Sequence, residues 1–313
     1  STRQQIRRQI TQAPEAPANI LAVSNVPEKV TEPAVLLREH MYGGRPVRLL
    51  WHHLNLSQRD LRLSVALHNR STQHAQVHLT GASAGPSNDE IFVGHTAAVR
   101  FLSDLFTSTG YVAHLPAKSC THVVTEQMPL GRITSGAMRL APRQATDLVL
   151  EVIAVPADGP EWPSLPISDD DTTHQKISNC VFAGTRVVEL THTVGSGNWS
   201  FFPLGKGHIT NSHGVELMGS YGVLHRVEVS AENPTDDTAI VELTMRPRGG
   251  AARGTFWIGD RLVETPLLSS SATEAVIHKE TMRPRSTLKL DVTTMPESGS
   301  HYPVMLTLRS WTK

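Results

Sequence analysis

Two stretches of the chain alternate apolar and polar residues in the same order. The first is Leu61 to Leu79, LRLSVALHNRSTQHAQVHL, and the second is His225 to Leu243, HRVEVSAENPTDDTAIVEL. In both, apolar side chains recur at every second position on either side of a polar stretch, which predicts two strands joined by a turn. Asn69 and Asn233 open the polar stretches, and Asn favours turns because its side chain bonds back to the backbone.

The two stretches match at a constant offset of 164 residues (233 − 69), which predicts an internal duplication. The same offset continues through residues 90–102, which are predicted to form a strand pair or a bent strand. Farther on, Glu126 matches Glu280 at an offset of 154 (280 − 126). The change of offset predicts a ten-residue insertion in the first copy, between Leu102 and Thr125.

The whole chain is predicted to be all-β, because short apolar-polar alternations recur between turn signals and no long helical pattern is visible. The spacing favours two tandem β-sandwich domains of immunoglobulin or fibronectin type. We place the first at 32–156 and the second at 195–313, with a connector at 157–194 between them. Residues 1–31 are interpreted as an extended N-terminal arm.

The arm is rich in Gln, Pro and Ala and carries a few isolated apolar residues, namely Ile6, Ile10, Ile20 and Leu21. Its composition is typical of a disordered tail, which is common at termini. The alternative is an ordered arm that lies on its own domains or on a neighbouring subunit. In the second case these apolar residues would form the contact, and the protein would be a homo-oligomer or polymer.

Composition narrows the class of protein. The chain is 39% hydrophobic and 19% charged with a formal net charge of zero, so nothing indicates binding to nucleic acid or to an anionic membrane. No apolar run approaches the ~20 residues that span a bilayer. The chain begins at Ser1, and we expect an exported protein, extracellular or at the cell surface, whose signal peptide has been removed.

The two cysteines, Cys120 and Cys180, match no zinc or redox spacing. One reading is a disulfide, which would close a loop of about 60 residues and contribute roughly 4 kcal/mol on the chain-entropy model. The other reading is two buried thiols. Cys120 lies in the predicted insertion and Cys180 in the connector, so a disulfide would tie the connector to the first domain.

The sequence offers no catalytic motif and no cofactor-binding motif. His52 and His53 resemble metal ligands, but neighbouring residues of a strand point to opposite faces, so they are not expected to share a metal. Three consecutive aspartates, 169–171, lack the alternation of a calcium loop and are interpreted as a solvated loop. We therefore expect no metal site and no enzyme, with a histidine site assembled in space as the remaining enzymatic hypothesis.

Trp199 and Phe202 belong to the densest aromatic cluster of the chain. Together with Trp257 they could form a stacking platform for sugar rings, or they could pack the junction between the connector and the second domain. Asn55, Asn69 and Asn198 each begin an N-glycosylation sequon. Such triplets also occur by chance, and the turn position of Asn69 accounts for that one.

The second copy, from GSYGVLHRVEVSAENPTDDTAIVEL through GGAARGTFWIGDRLVETP to TTMPESGSHYPVMLTLRS, resembles the β-sandwich regions of bacterial cell-surface proteins, some of which carry stalk domains. The resemblance covers 219–310 and implies an exported surface protein without catalytic residues. The leading hypothesis is a structural protein that self-assembles into a surface filament or layer, its arm contacting a neighbouring subunit. The alternative is a carbohydrate-binding surface or adhesion module.

Overall fold

The structure is a computed structural model that describes residues 10–11, 20–26, 28–41, 44–144, 147–160 and 180–312. The chain divides into two compact units, each discontinuous in sequence. The N-terminal unit comprises 15–184 and 209–217, and the C-terminal unit comprises 1–14, 185–208 and 218–313. Strands arranged in several sheets dominate both, so the predicted all-β sandwich class is confirmed.

The elements follow one another with short turns. In the first part of the chain they are β1 (Ile10–Thr11), β2 (Ile20–Ser24), β3 (Lys29–Val30), β4 (Ala34–Met41), β5 (Val47–Asn55), β6 (Leu61–Asn69), β7 (Ala75–Ser87), α1 (Glu90–Phe106), β8 (Tyr111–Leu115), β9 (Ser119–Met128), β10 (Ile133–Pro142), β11 (Leu148–Pro156) and β12 (Val181–Ala183). In the second part they are β13 (Thr185–Thr193), β14 (Ser200–Leu204), β15 (Ile209–Thr210), β16 (Glu216–Leu217), a 3₁₀ turn (Met218–Ser220), β17 (Leu224–Asn233), β18 (Ala239–Pro247), β19 (Thr255–Ile258), β20 (Arg261–Glu264), β21 (Ala275–Met282), β22 (Ser286–Thr294) and β23 (Val304–Thr312).

The N-terminal unit is built on two sheets. One has the strand order β12-β2-β5-β10-β7-β8, with β3 also beside β5, and the other has the order β4-β11-β6-β9. Trp51 on β5 is fully buried and lies over Gly136 on β10, its partner across the strand pair. A Cβ on Gly136 would come within 2.0 Å of the indole ring, so the tryptophan occupies space that only glycine leaves open.

The C-terminal unit also has two sheets, of order β1-β13-β17-β22-β19-β20 and β14-β23-β18-β21. Its core draws alternate residues from both, for example Val227 and Val229 from β17 against Leu306 and Leu308 from β23. This is the two-residue period that a half-buried strand requires. The predicted hairpin around Gly259 is confirmed, since β19 and β20 pair across it.

The polar turn after β6 has the structure that its sequence predicted. Asn69 is buried, and its amide nitrogen donates to the carbonyl oxygens of Gln73, Leu115 and Pro116 at 2.7–3.1 Å. Its amide oxygen accepts from the backbone N–H and the hydroxyl of Ser71. One side chain thus joins the β6–β7 turn to the β8–β9 turn, and its buried amide nitrogen has no room for a glycan.

Asn233 repeats this arrangement in the C-terminal unit. Its amide nitrogen donates to the carbonyl oxygens of Asp237 and Arg283, and its oxygen accepts from the N–H and hydroxyl of Thr235. Asn233 is fully buried. The two turns therefore share a hydrogen-bond pattern as well as a sequence pattern.

A third copy of the pattern, which the alternation did not reveal, begins at Asn55. This buried side chain donates to the carbonyl oxygens of Arg59 and Met128 and accepts from the N–H and hydroxyl of Ser57. Its sequon is therefore as inaccessible as that of Asn69. Asn198, which begins the remaining sequon, is exposed.

Residues 90–102 were predicted as strands and this was wrong, because they form α1. Asp89 caps the helix by accepting a hydrogen bond from the backbone N–H of Phe92 at 2.9 Å. Val93, Ala97 and Phe101 recur every four residues and are buried. A helix packed by one face requires this period, which the strand interpretation overlooked.

The predicted ten-residue insertion in the first copy is also wrong. Asn69 pairs with Ser119, and Asn233 pairs with Ser286 in the same way. These serines are 167 residues apart (286 − 119), so the interval from the asparagine is three residues longer in the second copy, not shorter. The interval is filled by α1 in one unit and by the hairpin β19–β20 in the other, so sequence matches within it do not join equivalent positions. Duplication as the origin of the shared pattern stays a prediction.

The predicted domain boundaries differ from those of the two units. β2, assigned to the arm, lies between β12 and β5, and Leu21 is 1% exposed. β13, assigned to the connector, lies in the C-terminal unit beside β17. Both strands carry enough apolar residues to join a sheet, and their neighbours in sequence concealed this.

Candidate functional site

The outward face of the sheet β14-β23-β18-β21 carries the aromatic cluster of the sequence. On β23, Leu306 and Leu308 belong to the core, so Arg309 and Trp311 point outward with Thr307. Phe201 on β14 pairs with Thr307, which puts it on the same face. We call this the β23 face, and define it by its aromatic residues and their neighbours: Trp199, Phe201, Glu242, Lys279, Met305, Arg309 and Trp311.

Three large aromatic side chains of the β23 face are exposed to solvent. Trp199 is 48% exposed, Phe201 44% and Trp311 40%. The rings of Trp199 and Phe201 lie 6.3 Å apart at a tilt of 48°, and the guanidinium of Arg309 lies 5.5 Å from the centre of the Trp199 ring. Exposed aromatic groups held beside charged side chains are a common means of binding ligands.

A buried carboxylate fixes the positions of the cations between these rings. Glu242 accepts from Arg309 at 2.8 Å and from Lys279 at 3.1 Å, and Arg309 also reaches Glu274 at 2.9 Å. Burial by itself raises the pKa of Glu242, but the hydrogen bonds from Arg309 and Lys279 outweigh it and lower the pKa. The ammonium of Lys279 lies 5.2 Å from the ring of Trp311, so one network supports both tryptophans.

A pocket of about 480 Å³ opens at the β14 end of the same face. Pro203 and Met305, which pair with each other on the outward side of β14 and β23, form part of its wall. The other lining residues are Lys206, Arg248, Gly249, Gly250, His301, Tyr302 and Pro303. The volume lies in the range of about 300–1,000 Å³ that is usual for ligand pockets.

The polar lining of the pocket is basic. Lys206, Arg248 and His301 face it, and none of its lining residues is an aspartate or glutamate. Within the described part of the chain, neither Lys206 nor Arg248 forms an ion pair. A pocket with this lining attracts carboxylate, sulfate or phosphate groups.

The aromatic platform predicted from Trp199, Phe202 and Trp257 is only partly assembled. Trp199 lies on the β23 face, whereas Phe202 points inward and is 7% exposed in the core. Trp257 lies on β19 in the other sheet, where its indole N–H donates to the carbonyl oxygen of Gly259. Adjacent residues of a strand face opposite ways, so the outward partner of Trp199 is Phe201 and not Phe202.

Two functional candidates on this face were missed by the sequence reasoning, Arg309 and Trp311. The alternation of VMLTLRSWT in β23 contained the signal, because Val304, Leu306 and Leu308 set the buried phase. The residues between them must then point outward. The basic pocket gave no such signal, since its lining comes from three separate segments.

The predicted disulfide between Cys120 and Cys180 does not form, and both residues carry thiols. Cys120 is exposed on β9, at one edge of the sheet β4-β11-β6-β9. The backbone N–H of Cys180 bonds to Glu39 on β4, at the opposite edge. Three strand spacings amount to roughly 14 Å, about twice the Cα separation that a disulfide allows.

The apolar residues assigned to an assembly arm have different fates. Ile20 and Leu21 belong to β2, which runs parallel to β5 in the same chain, so their assignment as contacts to a neighbour is corrected. Ile10 lies in β1, whose backbone pairs with β13. Ile6 lies outside the described residues, as do the three aspartates 169–171.

The two neighbouring histidines of β5 point to opposite faces, as predicted. His53 is fully buried and its Nε2 lies 2.9 Å from the hydroxyl of Ser24. His52 is 5% exposed and comes close to two carboxylates, those of Glu28 and Glu90. The expectation that no metal site exists did not consider this group, because its members lie on three separate elements.

Comparisons with known proteins do not identify a family. No protein-family model matches the chain, and no curated protein matches it. Among solved structures it is similar to the PBSX exported protein XepA (9% identity, 89% of this chain and 86% of that chain, TM-score 0.21). It is also similar to the ANX2 ectodomain from Arabidopsis thaliana (10%, 94% and 96%, TM-score 0.19). A third is dimeric latent PorU from Porphyromonas gingivalis (6%, 96% and 21%, TM-score 0.17). At such TM-scores these likenesses carry no argument about function.

Among the described residues, no helix is both long and apolar enough to cross a membrane.

Proposed function

We propose that the protein is a non-catalytic module that binds an acidic glycan along the β23 face, with one acidic group of the glycan in the basic pocket. The observation that carries the proposal is the position of exposed Trp199 and Phe201 beside a pocket lined by Lys206, Arg248 and His301. Aromatic rings stack on the apolar faces of sugars, and the cations bind their carboxylates or sulfates. The proposal retains the carbohydrate-binding hypothesis and replaces two of its three residues.

The length of the face suits a short stretch of polymer. Met305, Thr307, Arg309 and Trp311 are alternate residues of β23, and a strand rises about 3.3 Å per residue. The line from the pocket wall to Trp311 therefore extends roughly 20 Å. Export, which the resemblance to bacterial cell-surface proteins implies, would bring this face into contact with extracellular polysaccharide.

The proposal is tested by titrating the full chain with oligosaccharides of uronic acids and with neutral oligosaccharides of equal length. We expect saturable binding of the acidic series only, weakened by salt because the contacts are charged. Trp199→Ala and Arg248→Ala should each reduce affinity at least about 10-fold, since a lost stacking or charged contact costs about 1.4 kcal/mol or more.

The matched control is Phe92→Ala, which removes a side chain of similar exposure from α1 in the other unit. Its affinity should equal that of the parent protein. Absence of binding to every acidic oligosaccharide, or equal losses in the control and in Trp199→Ala, would contradict the proposal.

Self-assembly into a surface filament or layer, with the N-terminal arm contacting a neighbouring subunit, stays a prediction. Because β1 and β2 pair within the chain, a deletion through residue 31 would also damage two sheets. Deletion of residues 1–9 tests the arm without removing either strand. Light scattering and electron microscopy of this variant should show loss of assembly if the arm is the contact.

A further inference from the structure

Three side chains that are distant in sequence converge at the start of α1. Glu28 directly precedes β3, His52 lies on β5, and Glu90 is the first residue of α1. One donor atom from each, a ring nitrogen or a carboxylate oxygen, lies within 4.8 Å of the other two. All three residues belong to the N-terminal unit.

His52 is the member of this group that most needs an explanation. It is 5% exposed, and its Nδ1 is buried without a hydrogen-bond partner among the described residues. A buried polar atom that makes no hydrogen bond costs about 1–3 kcal/mol, so such atoms are usually satisfied or have a function. Glu28 and Glu90 are exposed, and their flexible side chains can adjust toward the fixed imidazole.

The chemistry of the group matches that of a cation ligand set. Burial lowers the pKa of His52 to about 4, so its ring is neutral at pH 7 and offers a lone pair. The two carboxylates supply two negative charges. An imidazole nitrogen with carboxylate oxygens is a donor set that suits zinc and its neighbours better than magnesium or calcium, which prefer oxygen alone.

We propose that Glu28, His52 and Glu90 bind a divalent transition metal ion, Zn²⁺ in the first place. Bond lengths near 2.0–2.2 Å place the ligand atoms of a tetrahedral site about 3.5 Å apart, so the two exposed glutamates need only a small approach. The ion would join the segment before β3 and the start of α1 to strand β5. This site is independent of the proposed glycan surface, which lies in the other unit.

The experiment is a titration of the full chain, freed of metal with a chelator, with Zn²⁺ followed by calorimetry and with Co²⁺ followed by its visible absorption. We expect one Zn²⁺ per chain and an increase in Tm on binding, since a ligand that binds only the folded state stabilises it. Glu28→Gln and Glu90→Gln should each weaken Zn²⁺ binding at least about 10-fold and change the Co²⁺ spectrum. Mg²⁺ at the same concentration should not compete.

Two variants control for adventitious binding. Glu32→Gln removes another exposed carboxylate of the same unit. His114→Ala removes an exposed histidine whose Nδ1 lies 3.3 Å from the Nε2 of His74, a pair that could itself collect zinc. The proposal is overturned if the chain binds no stoichiometric Zn²⁺ or Co²⁺. It is also overturned if binding is lost in His114→Ala and kept in both glutamate variants.

Discussion

The two units share a turn and differ in what surrounds it. Asn69 and Asn233 form the same hydrogen bonds, yet α1 follows in one unit and the hairpin β19–β20 in the other. Recurrent local chemistry therefore fixes how neighbouring strands connect in both units. The segment inserted between those strands is left open to other uses, because it need only cover the edge of its own core.

A second difference concerns the buried glutamates. Glu151 on β11 bonds to Arg38 and, at 2.6 Å, to His68, whereas Glu242 bonds to Arg309 and Lys279. A histidine can lose its proton near neutral pH, but Arg and Lys cannot. The N-terminal network is therefore sensitive to pH in a range where the C-terminal network is constant.

The shared turn should give the largest effect. Asn69→Ala and Asn233→Ala each leave several buried backbone groups without partners, and we expect each to lower the free energy of unfolding by about 3 kcal/mol. Urea unfolding of both variants measures this. Asn69→Asp, which keeps the size but loses the donors, should cost nearly as much. A loss below about 1 kcal/mol in one unit alone would show that the two turns are not energetically equivalent.

The histidine in the N-terminal network should make stability depend on pH. Hydrogen bonds with Cys120 and Glu151 raise the pKa of His68 to about 9, above its unfolded value. The stabilisation is therefore complete below pH 6.5 and is lost as pH rises through about 9. We expect a loss of about 1–2 kcal/mol between pH 6 and pH 9.5, after allowance for screening at a partly exposed group.

The acid side has the opposite sign. Burial alone raises the pKa of Glu151, but bonds from His68 and Arg38 lower it on balance, so its contribution is present above pH 4.5 and is lost in acid. Urea unfolding of the parent and of His68→Gln at pH 6 and pH 9.5 checks the alkaline limb. The variant should lose less stability between the two pH values, and an unchanged difference would contradict the assignment to His68.

The smallest effect should come from the helix that distinguishes the units. Asp89→Ala removes the cap of α1 and should cost about 1 kcal/mol. Asp260→Ala, in the hairpin that occupies the corresponding interval, removes an exposed turn side chain and should cost less than about 0.5 kcal/mol. Thermal unfolding monitored by circular dichroism compares them, and equal losses would argue against a capping role for Asp89.

Several local features could be read from the sequence. The turn at Asn69 follows from residue chemistry within a few positions, and the opposite directions of His52 and His53 follow from strand geometry. The helix was also readable, since Asp89 precedes buried positions spaced four apart, but matching residues 90–102 to the second copy gave the period of strands. A match between two segments is weak proof of shared structure when their own periodicity disagrees.

The candidate sites could not be read in this way. The basic pocket takes Lys206, Arg248 and His301 from three segments, and the proposed metal group takes Glu28, His52 and Glu90 from three others. No spacing rule links such residues, because the distance between them depends on which strands lie side by side.

The sequence by itself determined the all-β class, the alternation of its strands and the chemistry of its turns, since these depend on neighbouring residues. Only the tertiary structure decided that β2 joins a sheet instead of an arm, that Phe201 replaces Phe202 on the aromatic surface, and that Cys120 and Cys180 lie at opposite edges of a sheet. The physical reason is that strand order and register bring together residues far apart in sequence, and no local pattern records that choice.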